Sequence, residues 1–378
     1  MYWRGNVVDS KRPPGRGYTL GYLLGTLLLG GCALDGPQSI FETAGPVARD
    51  QAELFMFIFW FGVLVFVAVT GVLIYTVAKY RQRGDDDGSV PQQIHGVAWL
   101  EATWTAAPAV ILVIIGIPTV GLIFSQESRV NPTQKDLVVN VTGYQWWWEF
   151  EYPELGITTA NELHIPTGRR VVLNLESGDV LHSFWVPRLA GKRDLIPNQD
   201  NQLWIQADEP GLYRGQCAEL CLGAHAYMRF RVIASDEAEF SAWAGLFGPG
   251  SAQQVQAQAN AEQIAAGEAL FKTKGCATCH AVLGYAEGQK APDLTNFGIR
   301  TSLAAGVLDN TPENLAAWLR NPDAIKPGNY MPRLWPLPEE IQDDAQETEI
   351  EAEIAALVAY LESLGKPAPL STSARVGR

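Results

Sequence analysis

The chain has 378 residues and carries 28 Lys and Arg against 41 Asp and Glu, a formal net charge of −13. This length allows two or three domains, and the acidic balance argues against a nucleic-acid partner. Residues 125–378 hold 20 basic and 32 acidic side chains. Such a field suits a basic soluble partner, although charge also serves solubility alone.

The first segment, residues 1–31, has the composition of a secretory signal. A basic start is followed by a short apolar stretch, Tyr18 to Gly30, which is too short to cross a membrane. The stretch ends in Leu-Gly-Gly-Cys32, which resembles a bacterial lipobox. That resemblance implies that Cys32 becomes the lipidated first residue of the mature protein. The alternative is an unprocessed apolar segment with a chance cysteine.

Two long apolar stretches predict a transmembrane hairpin over residues 40–126, with spans at about 54–78 and 99–124. The stretches Leu54–Ala78 and Ala102–Ser125 contain no charged residue. A helix of that length reaches about 36 Å, which is enough to cross a hydrocarbon core of roughly 30 Å. A buried helix of a soluble domain is the alternative, but two such stretches close together favour membrane spans.

The loop between the spans carries basic residues that predict its side of the membrane. Lys79, Arg81 and Arg83 follow the first span, so the positive-inside rule places this loop in the cytoplasm. Three aspartates follow them, but acidic residues contribute little to the rule. Both ends of the chain are then expected on the periplasmic or outer face of a bacterial inner membrane.

After the spans, the pattern predicts two further domains joined by a linker. Residues 135–235 contain short strands separated by Gly and Pro, which predicts a small β-sandwich or barrel. Residues 236–260 include a Gln- and Ala-rich run and are expected to form a linker. Residues 261–366 are predicted to be a helical domain, and residues 367–378 a tail.

Three helices are predicted in the last domain, at Glu262–Lys272, Pro312–Arg320 and Glu349–Leu364. Thr311 is expected to cap the second helix, with Pro312 at its first helical position. The third helix is indicated by apolar residues at helical spacing.

Five residues in the predicted β-domain have the chemistry of a metal site. Cys217, Cys221, His225 and Met228 lie close together in sequence, and His182 lies upstream of them. Thiolate, thioether and imidazole ligands select copper in electron-transfer sites. A mononuclear blue copper needs only one cysteine, so the second cysteine allows two thiolates to bridge two coppers.

Two other interpretations of these residues stay open on spacing alone. Two cysteines and two histidines also make a tetrahedral zinc site, although zinc would not need Met228. In an exported domain, Cys217 and Cys221 could instead form a disulfide.

The motif Cys-x-Glu-x-Cys-x3-His-x2-Met, with an upstream Asp-Val-x-His, resembles the binuclear copper A site of cytochrome c oxidase subunit II. The resemblance covers about residues 40–235 and implies a cupredoxin-like Greek-key barrel in residues 135–235. The implied copper ligands are bridging Cys217 and Cys221, terminal His182 and His225, weakly bound Met228 and the backbone carbonyl of Glu219. The Glu219 side chain would reach a magnesium ion at the interface with subunit I. A quinol-oxidising relative would lack the two cysteines, so quinol is not expected as the direct donor.

Two more residues take roles from the same resemblance. Three consecutive tryptophans end at Trp148, and strand alternation predicts that at least one lies near the surface, although core filling is the alternative. Trp146 corresponds to the family's surface tryptophan through which electrons enter. Glu101 stands at the edge of the second span, where a carboxylate is ordinarily just solvated. The family places a glutamate there at the mouth of a proton channel of subunit I.

The sequence Cys276-Ala-Thr-Cys279-His280 is the attachment signature of a c-type haem. The two thiols add to the haem vinyl groups, and His280 becomes an axial ligand of the iron. Met331 is the only methionine after this motif, so it is the expected second axial ligand. Residues 262–365 resemble a class I cytochrome c, whose axial methionine precedes a proline in this way. Such ligation raises the haem potential into a range useful for feeding an oxidase.

Together, the resemblances imply the electron-accepting subunit II of a haem-c-containing, proton-translocating cytochrome c oxidase. Electrons would pass from cytochrome c or a quinol-cytochrome c reductase to haem c, then to copper A, and then to the haem–copper centre of subunit I. Subunits I and III, the donor and membrane lipid are the expected partners, with no nucleic acid. The alternatives are a nitric oxide reductase subunit, which Glu101 disfavours, and a copper-storage or copper-delivery lipoprotein, in which a covalent haem would be pointless.

Overall fold

The computed structural model describes residues 36–81, 93, 96–127, 129–247 and 261–365. The predicted signal segment with Cys32 lies outside the described residues. So do most of the loop between the two spans, the second half of the predicted linker, and the tail.

Two long apolar helices come first, α1 at Pro46–Lys79 and α2 at Ala98–Glu127. Both are long and apolar enough to cross a membrane, and the side chains of their most apolar windows are not buried by other parts of the chain. Large apolar surfaces left open in this way are typical of helices that face lipid. The helices include the predicted spans at 54–78 and 99–124 and extend beyond them.

Helix α1 starts earlier than predicted because its first turn is packed against the β-domain that follows. Val47 and Ala48 are buried, and the Ala48 amide donates to the Leu189 carbonyl at 3.2 Å. Arg49 forms a 2.8 Å ion pair with Asp208. The first turn of α1 is therefore part of the packed β-domain as well as part of the long apolar helix.

The β-domain contains ten strands in two five-stranded sheets. The strands are β1 Leu137–Tyr144, β2 Trp147–Tyr152, β3 Ile157–Ala160, β4 Glu162–Pro166, β5 Val171–Ser177, β6 His182–Trp185, β7 Arg193–Leu195, β8 Asn201–Ile205, β9 Gly211–Cys217 and β10 Arg229–Ser235. Their order is β3-β2-β1-β5-β8 in one sheet and β4-β10-β9-β6-β7 in the other. The β1–β5 and β4–β10 pairs are parallel, and the others are antiparallel.

The core of the β-domain lies between the sheets. Burial along β1 alternates residue by residue, as expected for a strand with one face inside. The rings of Trp148, Phe184 and Phe230 lie 4.6–5.7 Å apart at its centre. A short helix, α3 at Glu237–Gly245, packs beside this core and occupies the first part of the predicted linker. Asp236 caps it by accepting a hydrogen bond from the Glu239 amide.

The helical domain covers residues 261–365. Its helices are α4 Ala261–Thr273, α5 Pro312–Arg320, α6 Pro322–Ile325 and α7 Asp344–Ser363. The predicted cap of α5 is confirmed, because the Thr311 side chain accepts from the Asn314 amide. Helix α7 begins at Asp344 instead of Glu349, because Asp343 caps it by accepting from the Gln346 amide.

Two short ribbons that the sequence did not predict complete the helical domain. They are β11 Ala281–Val282 with β12 Ala286–Glu287, and β13 Ser302–Leu303 with β14 Leu308–Asp309. The turn between β13 and β14 passes through the left-handed region at Gly306, with φ of 72°. A Cβ there would lie 3.3 Å from the Phe230 Cα, so the ribbon packs directly on β10 of the β-domain.

Candidate copper and haem sites

Strand pairing brings the predicted copper ligands to one end of a sheet. His182 begins β6, and Cys217 ends β9, which pairs with β6. The loop from residue 218 to 228 carries the other ligands and returns into β10, which pairs with β9 on its other side. The ligands therefore meet although 35 residues separate His182 from Cys217.

The donor atoms of all six predicted copper ligands converge. The separations are 3.9 Å between the Sγ atoms of Cys217 and Cys221, 3.9 Å from Cys217 Sγ to His182 Nδ1, 3.5 Å from Cys221 Sγ to His225 Nδ1, 3.7 Å from Cys221 Sγ to Met228 Sδ, and 3.2 Å from Cys217 Sγ to the Glu219 carbonyl. Both cysteines are free thiols. A disulfide needs about 2.05 Å between sulfurs, so this geometry does not fit that alternative.

Burial and mutual contact set the protonation of the two thiols. The hydrogen bond with Cys221 lowers the pKa of Cys217 to about 4, although burial opposes this shift. The same contact, together with burial, raises the pKa of Cys221. The pair therefore holds one proton at neutral pH, and binding as two bridging thiolates would release it.

The donor set fits a binuclear copper centre. Two thiolates lie side by side, an imidazole contacts each of them, and a thioether and a carbonyl complete the group. His182, Cys217 and Cys221 are all buried. A four-coordinate zinc site would leave some of these six donors unused.

Asp179 is the aspartate of the Asp-Val-x-His motif, and no separate role for it was predicted from sequence. Its Oδ1 lies 2.8 Å from His182 Nε2, which leaves Nδ1 facing the sulfurs. Its Oδ2 accepts from the Gln145 amide at 2.7 Å. A carboxylate that holds the second nitrogen of a metal-binding histidine fixes the orientation of the ring. Its position three residues before His182 was the available signal.

The predicted haem attachment residues lie on a single tight turn. Cys276–Thr278 is a 3-10 helix, and Cys279 follows it. His280 Nδ1 lies 2.7 Å from the Pro292 carbonyl, which leaves Nε2 available for iron. Burial lowers the pKa of His280, which favours the neutral ring that an iron ligand requires.

The helical domain also offers a second axial ligand and a buried donor. Met331 packs against the same core cluster that Cys276 contacts, and its amide donates to Asn329 Oδ1 at 2.7 Å. The Nε atom of Arg300 is buried and has no hydrogen-bond partner among the described residues. A haem brings anionic propionates, which suit such a donor, so the residues present fit a haem. Arg300 was not predicted from sequence, because its burial arises only in the folded domain.

The tryptophans are not arranged as predicted. Trp146, Trp147 and Trp148 are all buried, so the expectation that at least one lies near the surface was wrong. Trp146 precedes β2 and is covered by the ring of Tyr330 from the helical domain, with 4.5 Å between ring centroids. Trp147 is covered by Tyr144 at 4.7 Å. Pairing with other aromatic rings, which strand periodicity does not consider, buries them.

A buried lysine joins the two domains beside Trp146. Lys326 is 5% exposed, and its Nζ donates to the Trp146 carbonyl at 2.5 Å. Burial lowers the pKa of Lys326 to about 7. Two residues further along the chain, Gly328 packs on Gly223. A Cβ added at Gly328 would lie 3.3 Å from the backbone of Gly223.

A second contact between the domains surrounds Glu162 of β4. Its carboxylate accepts hydrogen bonds from the Thr301 amide and hydroxyl and from the Ser302 hydroxyl, at 2.6–2.9 Å. Nearby, Arg231 of β10 pairs with Asp309 at 2.6 Å. Polar bonds at two separate places thus hold the helical domain against the β-domain.

Glu101 is not near the metal ligands. It lies in the first turn of α2 and is exposed, and the opposite end of this helix leads to the β-domain. A helix of 30 residues spans about 45 Å, so Glu101 and the copper ligands are on opposite sides of the apolar region.

Comparison with known proteins agrees with this geometry. The family model described as cytochrome c oxidase subunit II, transmembrane domain, matches residues 35–122. The model for the periplasmic domain of the same subunit matches residues 155–235. The cytochrome c model matches residues 264–365.

Whole-chain relatives give the same result. A protein of Alkalihalophilus pseudofirmus named cytochrome c oxidase subunit 2 is 37% identical over 342 residues, which cover 90% of this chain and 94% of that protein. The chain belongs to the cytochrome c oxidase subunit II family. A Bacillus subtilis protein of the same name is 37% identical and covers 82% of this subunit II chain and 90% of its own length. The crystal structure of the periplasmic domain of subunit II from Bradyrhizobium japonicum is 29% identical and covers 30% of this chain and 94% of its own, with a TM-score of 0.29.

The predicted family and fold class are therefore confirmed. This subunit II chain has two membrane-type helices, a cupredoxin-like β-domain and a helical domain that matches cytochrome c. The matched families, together with the donor sets described above, support copper A and haem c as its cofactors.

Proposed function

We propose that this subunit receives electrons from a cytochrome c or a quinol-cytochrome c reductase at haem c. It passes them through copper A to the haem–copper centre of subunit I, where oxygen reduction is coupled to proton pumping. The main support for this proposal is the 3.9 Å distance between the Sγ atoms of Cys217 and Cys221, each of which also contacts an imidazole. A centre with two thiolate bridges exchanges single electrons, and His/Met ligation of the haem suits delivery of electrons to it.

The chain's own residues prepare both centres for this role. Strands β6 and β9 and the loop from residue 218 to 228 would hold the copper, and Asp179 orients His182. The Pro292 carbonyl orients His280. Rigid ligands that move little between oxidation states favour fast electron transfer, because little reorganisation accompanies each step.

The placement of the subunit in the membrane is part of the proposal. The β-domain and the helical domain would lie on the periplasmic face and the loop in the cytoplasm. The two apolar helices and the basic residues that follow α1 support this placement. We further propose that Cys32 is lipidated after removal of residues 1–31. Mass spectrometry of the purified subunit tests this, since an N-terminus before residue 32 contradicts it.

Two residues are proposed to face subunit I. Glu101 would stand at the mouth of a proton channel, on the side from which protons are taken up. Glu219 is partly exposed beside the copper ligands, and its side chain would reach a magnesium ion at that interface. Subunit III, the donor and membrane lipid complete the proposed set of partners.

Metal analysis and spectroscopy of the purified full-length subunit test the proposed function. We expect two coppers and one covalent haem per chain, with a mixed-valence copper EPR signal. One zinc, or one copper with a four-line hyperfine pattern, would contradict the proposal. Oxidation of reduced cytochrome c by the assembled complex, with oxygen consumed, tests the reaction itself, and reduction of nitric oxide in its place would identify the rival enzyme.

A further inference from the structure

The contact between Tyr330 and Trp146 lies between the two candidate cofactor sites. Tyr330 immediately precedes Met331, the proposed iron ligand. Its ring lies 4.5 Å from the Trp146 ring, at an interplanar angle of 36°. Trp146 Nε1 then donates to the carbonyl of Cys221, a proposed copper ligand, at 2.9 Å. Four residues thus form a continuous series of contacts from one site to the other.

A second series of contacts runs parallel to the first. The Tyr330 hydroxyl donates to Gln145 Oε1 at 3.2 Å. Gln145 Nε2 in turn donates to the Cys221 carbonyl at 2.8 Å. Both series begin at Tyr330 and end at the same oxygen atom, so Tyr330 is their common member on the side of the helical domain.

The surrounding contacts hold this arrangement in place. Lys326 binds the Trp146 carbonyl, and Gly328 packs on Gly223. A Cβ at Gly223 would lie 2.1 Å from the Trp146 ring, so the loop lies directly against the indole. Trp146 is 5% exposed, whereas Tyr330 is 70% exposed. A donor outside the chain therefore meets the helical domain first and does not reach Trp146.

We propose that Tyr330 is the residue through which electrons leave the helical domain, and that its ring contact with Trp146 is the crossing point toward copper A. This inference rests on the proposed function. Each transfer takes one electron from ferrous haem iron, which becomes ferric, to the mixed-valence copper pair, which becomes fully cuprous. No bond forms or breaks, and no proton moves. The rings shorten the gap that the electron must cross between the two centres.

The test uses the full-length subunit with both cofactors, in its assembled complex. Haem c is reduced by a light flash, and the transfer to copper is followed through the absorption of each centre. Tyr330→Leu should slow this internal transfer about tenfold or more, equal to about 1.4 kcal/mol of activation free energy. Tyr330→Phe keeps the ring and should change the rate by less than about twofold, equal to about 0.4 kcal/mol. Because Tyr330 is mostly exposed, neither change should unfold the domain.

Equilibrium measurements show whether a slower transfer comes from the lost ring contact or from damage to the haem or copper site. The haem potential, the near-infrared sulfur-to-iron band and the copper EPR signal should be unchanged in both variants. Trp147→Phe serves as the control, because its ring stacks on Tyr144 and not on the helical domain. The double variant Tyr330→Leu with Trp146→Phe should be no slower than the slower single variant, since both residues serve one route.

An unchanged rate in Tyr330→Leu, equal slowing in Tyr330→Phe and Tyr330→Leu, or multiplied effects in the double variant would each overturn the inference. Failure of the proposed function would be seen earlier and separately, as a wild-type chain without binuclear copper or haem.

Discussion

The Glu162 carboxylate accepts a 2.6 Å hydrogen bond from the Ser302 hydroxyl, across the junction between the β-domain and the helical domain. Glu162 is 1% exposed, and a buried carboxylate is costly unless it is well bonded. Burial alone would raise the pKa of Glu162, but its contact with His164 and its hydrogen bonds from Ser302 and Thr301 lower the pKa overall. The junction is thus built around an ionised, buried group.

Removing this carboxylate should loosen the helical domain. Glu162→Ala leaves the Thr301 and Ser302 donors without a partner, a cost of about 1–3 kcal/mol. Faster hydrogen exchange at the Thr301 amide, measured by mass spectrometry, would report the loss. Glu287→Gln, an exposed carboxylate on β12, should have no effect. Equal protection of the Thr301 amide in Glu162→Ala and the unmodified chain would contradict this role.

The stability of the same junction should fall only as the pH becomes acidic. Because the pKa of Glu162 is lowered in the folded chain, its contribution is complete above the ordinary carboxyl pKa of about 4.3. This contribution is lost as the pH falls through the lower pKa that Glu162 has in the folded chain. Hydrogen exchange at Thr301, corrected for its intrinsic pH dependence, should therefore accelerate only in acid. An acceleration between pH 6 and 8 would point to another group.

Each of the two proposed bridging cysteines should be indispensable for the copper centre. Cys217→Ser and Cys221→Ser each remove a bridge and should abolish the binuclear species, seen as the loss of its EPR signal and of one or both coppers. Met228→Leu removes only the weak ligand and should keep two coppers. Retention of two coppers and the mixed-valence signal in either serine variant would refute the assignment of the bridges.

Asp179 should affect copper through His182. Asp179→Asn keeps an acceptor for the Gln145 amide but weakens the bond that orients the imidazole. Loss of such a partner typically costs about 10–100-fold in metal affinity, which competition with a copper chelator would measure. Asp194→Asn, which changes an exposed carboxylate on strand β7, is the matched control. Equal affinities in the two variants would mean that Asp179 does not support the site.

Met331 should control the haem potential without controlling haem attachment. Met331→Ala removes the proposed axial sulfur, so the near-infrared band should disappear and the potential should fall. The haem should remain bound through Cys276 and Cys279. Redox titration and a denaturing gel stained for haem measure the two effects. An unchanged band would show that another group binds the iron.

The candidate ligands could be proposed from sequence because their chemistry is local. The copper loop and the haem motif each place several ligands within a few residues, and strand pairing supplies only His182 from further away. The cap at Thr311 is local for the same reason. Contacts between domains have no such signal: Glu162 meets Ser302 140 residues later, and Lys326 meets Trp146 across 180 residues. The burial of Trp146 follows from that docking, which neither strand alternation nor the family resemblance could anticipate.

The packing of the first turn of α1 has a further consequence. Val47 and Ala48 belong to an uninterrupted helix and are also buried in the β-domain, while Gln51 bonds Gln126 of α2 at 2.7 Å. The number of residues in α1 therefore sets both the rotation of the β-domain about the helix axis and its distance from the membrane. Inserting one residue into α1 below Gln51 would turn the β-domain by about 100° and shift it by about 1.5 Å along the helix axis. The length of α1 would thus determine which way the candidate copper ligands face relative to the two apolar helices.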